Sequence, residues 1–517
     1  MAPMSFTAAS SRGPELFLGF AAAVGTDLER VIAKFNEALE RVRYQTFTIR
    51  LAALMKELPF LAPKLILEPV DKYIDSHMTQ GNELRRITGR NDALAILAVG
   101  EIQKIRQESR AERGEVLERT AYLLRSLKHP DEVETLRRVY GRAFYLVAAY
   151  APHDHRRDYL AQRIARSRND TQMNKYYPDA ERLILRDQEE LGLAYGQNLR
   201  GTYHRADVFL DTTNEEMLGK SVSRFVELIF SNTLHTPTRR EYGMFHAKAA
   251  ALRSAELGRQ VGAAISHENG DILAVGTNEV PRAGGGLYWC EDKPDMREFA
   301  LGHDSNDEHK RNLIADTLVR LQQAGWLAPA KSQAKASELV KDALSGELPA
   351  LSKQSLIRNV IEYGRAVHAE MAAIVDAARR GVGIAGSTMF VTAFPCHLCA
   401  RHIVAAGIRR VLYIEPYPKS LAAELYPDSI RVESVSVCND QVSFEPFVGI
   451  APRQYMYLFE AIGRKDHEGN AIIFDANKAQ MRYRASERIY LEEEDLALRK
   501  LSTILDRQGS LFGGEHA

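Results

Sequence analysis

The distribution of apolar and polar positions changes texture along the chain. Near the start, Glu15–Ala21 reads as a hydrophobic strand and Ala22–Gly25 as a turn of small residues. A helix then begins near Thr26–Asp27, with Leu28, Val31, Ile32, Phe35 and Leu39 at helical spacing. Strand, small-residue loop and helix open many nucleotide-binding α/β domains. The alternation continues. Thr120–Leu124 and Ala143–Ala149 predict buried strands with a helix over Asp131–Tyr140 between them, and a strand Ala206–Asp211 follows a helix over Asp179–Leu191. Residues 14–235 therefore read as one α/β domain, after a flexible tail over 1–13.

From Arg239 the pattern differs. Glu241–Arg259 predicts one Ala-rich helix, and Gln260–Ser266 and Asp271–Gly276 predict two strands flanking Asn269-Gly270, a strong hairpin signal. The segment 281–354 reads as a long irregular, charged insertion, of the kind that is usually functional or flexible. Helix Val367–Arg380, strand Ser387–Phe394, helix Cys396–Ala406 and strand Ile408–Glu415 follow, with Gly407 ending the second helix. Strand, helix and strand make a parallel βαβ unit with a right-handed crossover. A last helix over Glu487–Leu505 carries Leu491, Leu496, Leu498, Leu501 and Leu505 as an apolar face for the body or another subunit.

Composition narrows the class. At 517 residues the chain holds two or three domains, and 45% hydrophobic with 26% charged residues is ordinary for a globular protein. Sixty-eight basic residues balance sixty-eight acidic ones, which argues against a general binder of long nucleic acid. The four cysteines, Cys290, Cys396, Cys399 and Cys438, are too few for a disulfide framework and fit a reducing, cytoplasmic setting. The apolar run Leu16–Gly25 is half the length of a membrane span, which needs about 20 residues. No membrane association is expected.

The candidate chemistry lies in the second half. His368-Ala369-Glu370 opens one helix, and Pro395-Cys396-His397-Leu398-Cys399 stands where a strand meets the next. The pattern H-x-E…P-C-x-x-C is the established signature of zinc nucleobase deaminases. Its chemistry is coherent. His368, Cys396 and Cys399 offer three ligands to a tetrahedral zinc and leave the fourth position to water. Both cysteines lie in a helix's first turn, where free N–H groups favour thiolates. Glu370, too close to His368 to ligate easily, is placed to carry protons. Two other readings stand beside this one: a closed zinc site with His397 or His402 as fourth ligand, or a redox Cys-x-x-Cys. Cys290 with His303 is a candidate second metal pair, and Cys438 reads as a small buried residue of a late strand.

On these residues, 240–480 resembles the cytidine/deoxycytidylate deaminase superfamily, whose fold is a mixed sheet with helices on both faces. The resemblance implies that Asn278 hydrogen-bonds the sugar and that Ala369 and the wall Thr392-Ala393-Phe394 meet the base. It places Tyr417, with Lys419, at the site's mouth. More widely, Glu15–Leu28, Leu123–Tyr140, Cys396–Ser420 and Phe444–Arg453 resemble the bacterial anti-phage dCTP deaminases. In these a P-loop kinase-like parallel-sheet domain precedes a cytidine-deaminase-like α/β/α domain with a mixed sheet. That resemblance implies a zinc-dependent deamination of dCTP, and of dCMP beside it, that drains dCTP from an infected cell. It also implies a homo-oligomer and an inhibitory RNA or protein partner. A dCMP deaminase of nucleotide metabolism, a deaminase of single-stranded nucleic acid, and a binding protein without turnover are the alternatives. For the substrate's phosphates the insertion offers Arg282, Lys293, Arg297, Lys310 and Arg311.

The first domain departs from a working kinase. Gly19 and Gly25 are six apart, no Lys follows, and Asp27 sits near where that Lys belongs. Gly19, Gly25, Thr26 and Asp27 are its candidate nucleotide contacts, with Arg125 and Arg137-Arg138 as cations for phosphate. A scaffold or sensor that kept the fold and lost the chemistry fits equally. The expected boundaries are thus 1–13, 14–235, 240–480 and 481–517.

Overall fold

The computed structural model describes residues 13–109, 116–188, 190, 195–346, 349–351, 355–417, 419–433, 440–460 and 463–512, with side chains to 506. The tail over 1–12 and Cys438 lie outside them. The chain divides into two compact units, one ending at Glu241 and resuming at Phe447, the other Tyr242–Pro446.

The first unit is built on β1 (Leu16–Ala22), β2 (Gln45–Arg50), β3 (Thr120–Arg125), β4 (Phe144–Tyr150) and β5 (Val208–Asp211). They run parallel in the order β5-β4-β1-β3-β2, and a two-residue strand Gly449–Ile450 pairs antiparallel with β5. All seven residues of β1 are buried. A central parallel strand is covered on both faces, so it reads as a continuous apolar run rather than an alternation. Helix α1 (Leu28–Arg41) is capped by the Asp27 carboxylate, which accepts from Arg30 N–H at 3.2 Å, and buries Leu28, Val31, Ile32, Phe35 and Leu39 on one face. Strand β2 went unread because its sequence QTFTIR mixes threonine with charge and is mostly uncovered, as suits an edge.

The expected boundary at 480 is corrected. Ile450, Leu458, Phe459 and Met481 pack into the apolar cluster of α1, β1 and Phe225, so the stretch from Phe447 belongs to the first unit. The helix Glu487–Phe512 is bound there by a buried ionic group. Arg106 reaches Glu15 at 2.8 Å and Glu494 at 2.7 Å, and Tyr122 and Tyr490 donate to Glu15 at 2.9 and 3.0 Å. The three charged side chains are at most 5% exposed.

The second unit carries a mixed sheet of β6 (Gly262–Ser266), β7 (Ile272–Thr277), β8 (Thr388–Ala393), β9 (Arg410–Glu415), β10 (Ile430–Val432) and β11 (Val442–Pro446), in the order β10-β11-β9-β8-β6-β7. The hairpin β6–β7 is antiparallel, as is β6–β8, whereas β8, β9, β11 and β10 run parallel. Helix α2 (Ala369–Arg379) precedes β8, and α3 (His397–Ala405) crosses from β8 to β9. Ala369, Ala373 and Ala377 of α2 and Ala400 and Ile403 of α3 join Ile265, Met389, Val391 and Val411 in the core. The segment 281–354 is not irregular: it contains helices Ser305–Gln323 and Ala336–Ser345. Among the described residues, no helix is long and apolar enough to cross a membrane.

Removing one partner of a buried ionic group leaves the others uncompensated. Arg106→Ala is therefore expected to destabilise the first unit by about 3–5 kcal/mol. Urea titration followed by tryptophan-independent circular dichroism will read this, and an unchanged midpoint would show that the ionic group contributes nothing net.

Candidate active site

Two helix starts converge on one point. His368 is the N-cap of α2, and Glu370 lies in that helix's first turn. Pro395 cannot continue the ladder of β8, so the chain turns there, and Cys396 becomes the N-cap of α3 with Cys399 in its first turn. The helix starts are held by close approach of β7 to α2. A Cβ on Gly276 would stand 2.2 Å from the Ala369 carbonyl oxygen and 2.4 Å from the Ala373 nitrogen.

The donors fit zinc. His368 Nδ1 lies 3.3 Å from both Cys396 Sγ and Cys399 Sγ. Zinc–nitrogen and zinc–sulfur bonds of roughly 2.0–2.1 and 2.3 Å give a tetrahedral N···S edge of about 3.5 Å. One imidazole and two sulfurs are the borderline-soft donor set that zinc prefers. Among the described residues, this ligating group contains neither His397 nor His402, and His402 Nδ1 bonds the Leu398 carbonyl at 2.7 Å. The set is three-membered and open.

Electrostatics within the group are strong. The hydrogen bond shared with Cys399, then His368, holds the Cys396 thiol far below its ordinary range, and the Cys396 thiolate in turn holds His368 up to about 9. Cys399, bonded to that thiolate and buried, is pushed up. A divalent cation binding all three displaces their protons. Glu370 is 4% exposed, and burial raises its carboxyl above the usual range. A carboxyl so shifted holds a proton more readily than an ordinary carboxylate, as suits a group that takes up and passes on protons.

The sequence profile described as the cytidine and deoxycytidylate deaminase zinc-binding region matches residues 237–415. A deoxycytidylate deaminase of Mycobacterium phage D29 is 31% identical over 130 residues, which are 23% of this chain and 95% of that protein. The chain belongs to the cytidine and deoxycytidylate deaminase family. The deoxycytidylate deaminase of Enterobacteria phage T4 is 41% identical over 73 residues, and ComE operon protein 2 of Bacillus subtilis 39% over 75. Each match covers 14% of this chain and about two fifths of the relative, 37% and 40% respectively.

Within this deaminase-family unit, several residues expected at the substrate are bonded into the framework. Asn278 is 8% exposed; its Oδ1 accepts from Val261 N–H and its Nδ2 donates to the Arg259 carbonyl, both at 2.7 Å. Thr392 Oγ1 accepts from Gly262 N–H at 3.1 Å. The Phe394 ring packs on Tyr413 and Phe444, with centroids at 4.9 and 5.4 Å, and its N–H donates to the Glu415 carbonyl. Ala369 is fully buried at the start of α2. Tyr417 is partly buried, and burial together with the Cys396 charge raises its hydroxyl pKa.

The insertion's cations are largely answered locally. Arg282 pairs with Asp292, Arg297 with Asp295 at 2.7 Å, and Lys310 with Asp307 at 2.6 Å. Sequence reading passed over Arg259, whose guanidinium lies 5.4 Å from the Tyr417 ring and 2.6 Å from Glu415. It ends a predicted helix, so nothing local marked it. Cys290 is exposed, and the second ligating group among the described residues is Glu256, Glu298 and Asp304, without Cys290 or His303.

Two outcomes follow. The purified chain is expected to carry one zinc, and His368→Ala or Cys399→Ala to retain it at least about tenfold more weakly against a chromogenic chelator. Gly276→Ala should cost about 1–3 kcal/mol of stability by overpacking and loosen zinc as well, because the strain falls on the turn carrying His368.

Proposed function

We propose that this chain hydrolytically deaminates deoxycytidine nucleotides, dCTP foremost and dCMP beside it, and that its role is to drain dCTP during phage infection. The observation that carries the chemistry is a buried carboxyl with a raised pKa, Glu370, two residues from the candidate zinc ligand His368 and beside a three-donor group. Zinc held by His368, Cys396 and Cys399 supplies a Lewis acid that makes water nucleophilic at neutral pH. Glu370 takes the proton from the attacking water as oxygen bonds to C4 of the ring, and delivers it to N3. A second transfer through the same carboxyl protonates the amino group, the C4–N bond breaks, and ammonia leaves as the C4 carbonyl forms. Phe394, packed on Tyr413 and Phe444, and Asn278, bonded to Val261 and Arg259, would stiffen the wall and rim of the site.

The dCTP preference, the anti-phage role, a cytoplasmic location, a homo-oligomer and an inhibitory RNA or protein rest on the resemblance of the whole chain. Relatives named deoxycytidylate deaminases favour dCMP as the second reading. Deamination of single-stranded nucleic acid is less consistent with a net charge of zero.

The test is product analysis on zinc-loaded protein given dCTP, dCMP, CTP, deoxycytidine and a cytosine-containing oligonucleotide, with Glu370→Ala in parallel. Deoxyuridine triphosphate as main product, reduced at least about 10²-fold in the variant, is the expected result. Product from dCMP alone would move the enzyme to nucleotide metabolism, and equal rates on deoxycytidine and dCTP would overturn nucleotide specificity.

A further inference from the structure

We propose that the first unit holds a second, separate nucleotide site, for a nucleoside monophosphate, in the cleft at the carboxyl ends of β1, β2 and β3. The strand order turns back at β1, and in open parallel sheets ligands bind in the crevice at such a reversal. The cleft there has a volume of about 410 Å³, within the roughly 300–1,000 Å³ of small-molecule sites.

The glycine loop is not its phosphate site. Asp187, fully buried, already stands at that loop: it accepts from Val24 N–H at 2.7 Å and pairs with Lys128, which also donates to the Ala22 carbonyl at 2.8 Å. The protein's own carboxylate fills the anion position. Gly19 lies inside β1 against Leu127 and Phe144, Gly25 packs on the Arg156 carbonyl at a φ of +89°, and Asp27 is spent on capping α1. Of the four expected contacts, Gly25 and Thr26 line the cleft; Gly19 and Asp27 do not.

Free positive charge lies at the opposite lip. Arg50 and Arg125 both pair with Glu29, at 3.0 and 2.6 Å, and Arg163 lines the same cleft. Burial raises the Glu29 carboxyl, yet Arg125, then Arg50 and Arg163, hold it below its ordinary value. Three guanidinium groups against one carboxylate leave two positive charges, which matches a phosphomonoester near pH 7.

Polar groups without partners point to what else binds. Among the described residues, Arg85 Nε, Thr26 Oγ1 and Gln197 Oε1 have no hydrogen-bond partner, although these residues are 2%, 8% and 5% exposed and line the cleft. Native proteins rarely leave buried polar groups unpaired. A hydroxyl and a guanidinium edge suit a phosphorylated sugar, and a lone amide oxygen suits a ring N–H. The remaining wall is apolar and flat-sided: Met55, Val70, Met78 and Leu94, with Tyr73 stacked on His77 at 3.9 Å. Burial lowers the His77 pKa, so that face stays neutral.

The test uses full-length Glu370→Ala protein and titration calorimetry with dAMP, dGMP and dTMP, which carry no cytosine, beside their nucleosides and inorganic phosphate. At least one of the three nucleotides is expected to bind once per chain, with its nucleoside and inorganic phosphate at least about tenfold weaker. Arg125→Gln and Arg163→Gln should each weaken it about tenfold or more. Thr26→Val, which removes a hydroxyl without a partner and should leave melting unchanged, should weaken it too. Binding should survive His368→Ala. Absence of binding by all three nucleotides, indifference to the arginine and threonine substitutions, loss in His368→Ala, or equal binding of inorganic phosphate would each overturn the proposal, and none of these bears on deamination.

Discussion

Everything chemical in this chain depends on two helices beginning at the same place. A helix start exposes N–H groups with no partner in the first turn, and α2 and α3 present theirs on His368 and on Cys396 and Cys399. Bringing the side chains at two such starts to within 3.3 Å of one another concentrates positive potential where thiolates must be held. The sheet makes that approach possible. With no side chain on Gly276, β7 can press against α2, and the parallel pair β8–β9 fixes where α3 must start. The ligands are local in sequence, but their meeting is a property of the layer packing.

This explains why the site was legible and its surroundings were not. His368, Glu370, Cys396 and Cys399 announce themselves because metal chemistry needs those residue types at short, fixed spacings. Asn278 carries no comparable local signature: only the folded chain reveals that its amide is committed to the backbone of Arg259 and Val261. The helix Ser305–Gln323 was hidden for another reason. It buries little beyond Ser305 and Ile314, so it shows no apolar stripe for periodicity to detect. The return of residues beyond Phe447 to the first unit was invisible because its key contact, Arg106 with Glu494, joins positions 388 apart. Buried β1, by contrast, was readable to within a residue, since seven consecutive buried positions demand an unbroken apolar run.

The two units treat anions in opposite ways. In the second, helix starts are left open to outside ligands. In the first, the loop after β1 that a sequence reader would assign to phosphate is closed by Asp187 and Lys128. A buried carboxylate with the Val24 N–H as donor and an ammonium partner occupies the loop, and a phosphate there would have to displace it against charge repulsion. An internal carboxylate and ammonium thus hold the turn after β1 within this parallel sheet without any external anion.

Which polar groups meet a ligand is then decided by which are already spent. Thr392, Asn278 and the Phe394 N–H are consumed in building the deaminase-family wall, and Arg282, Arg297 and Lys310 of the insertion are matched by carboxylates two to ten residues away. A paired charge gives up its partner before it can hold a phosphate, which lowers what it contributes to binding. Arg259 differs in kind: it bridges Glu415 and the Tyr417 ring at the rim, so it can trade a half-exposed pairing for a ligand at small cost. The wall beside the three-donor group is thus rigid because its polar groups are spent within the fold, whereas Arg259 keeps a pairing that solvent already weakens.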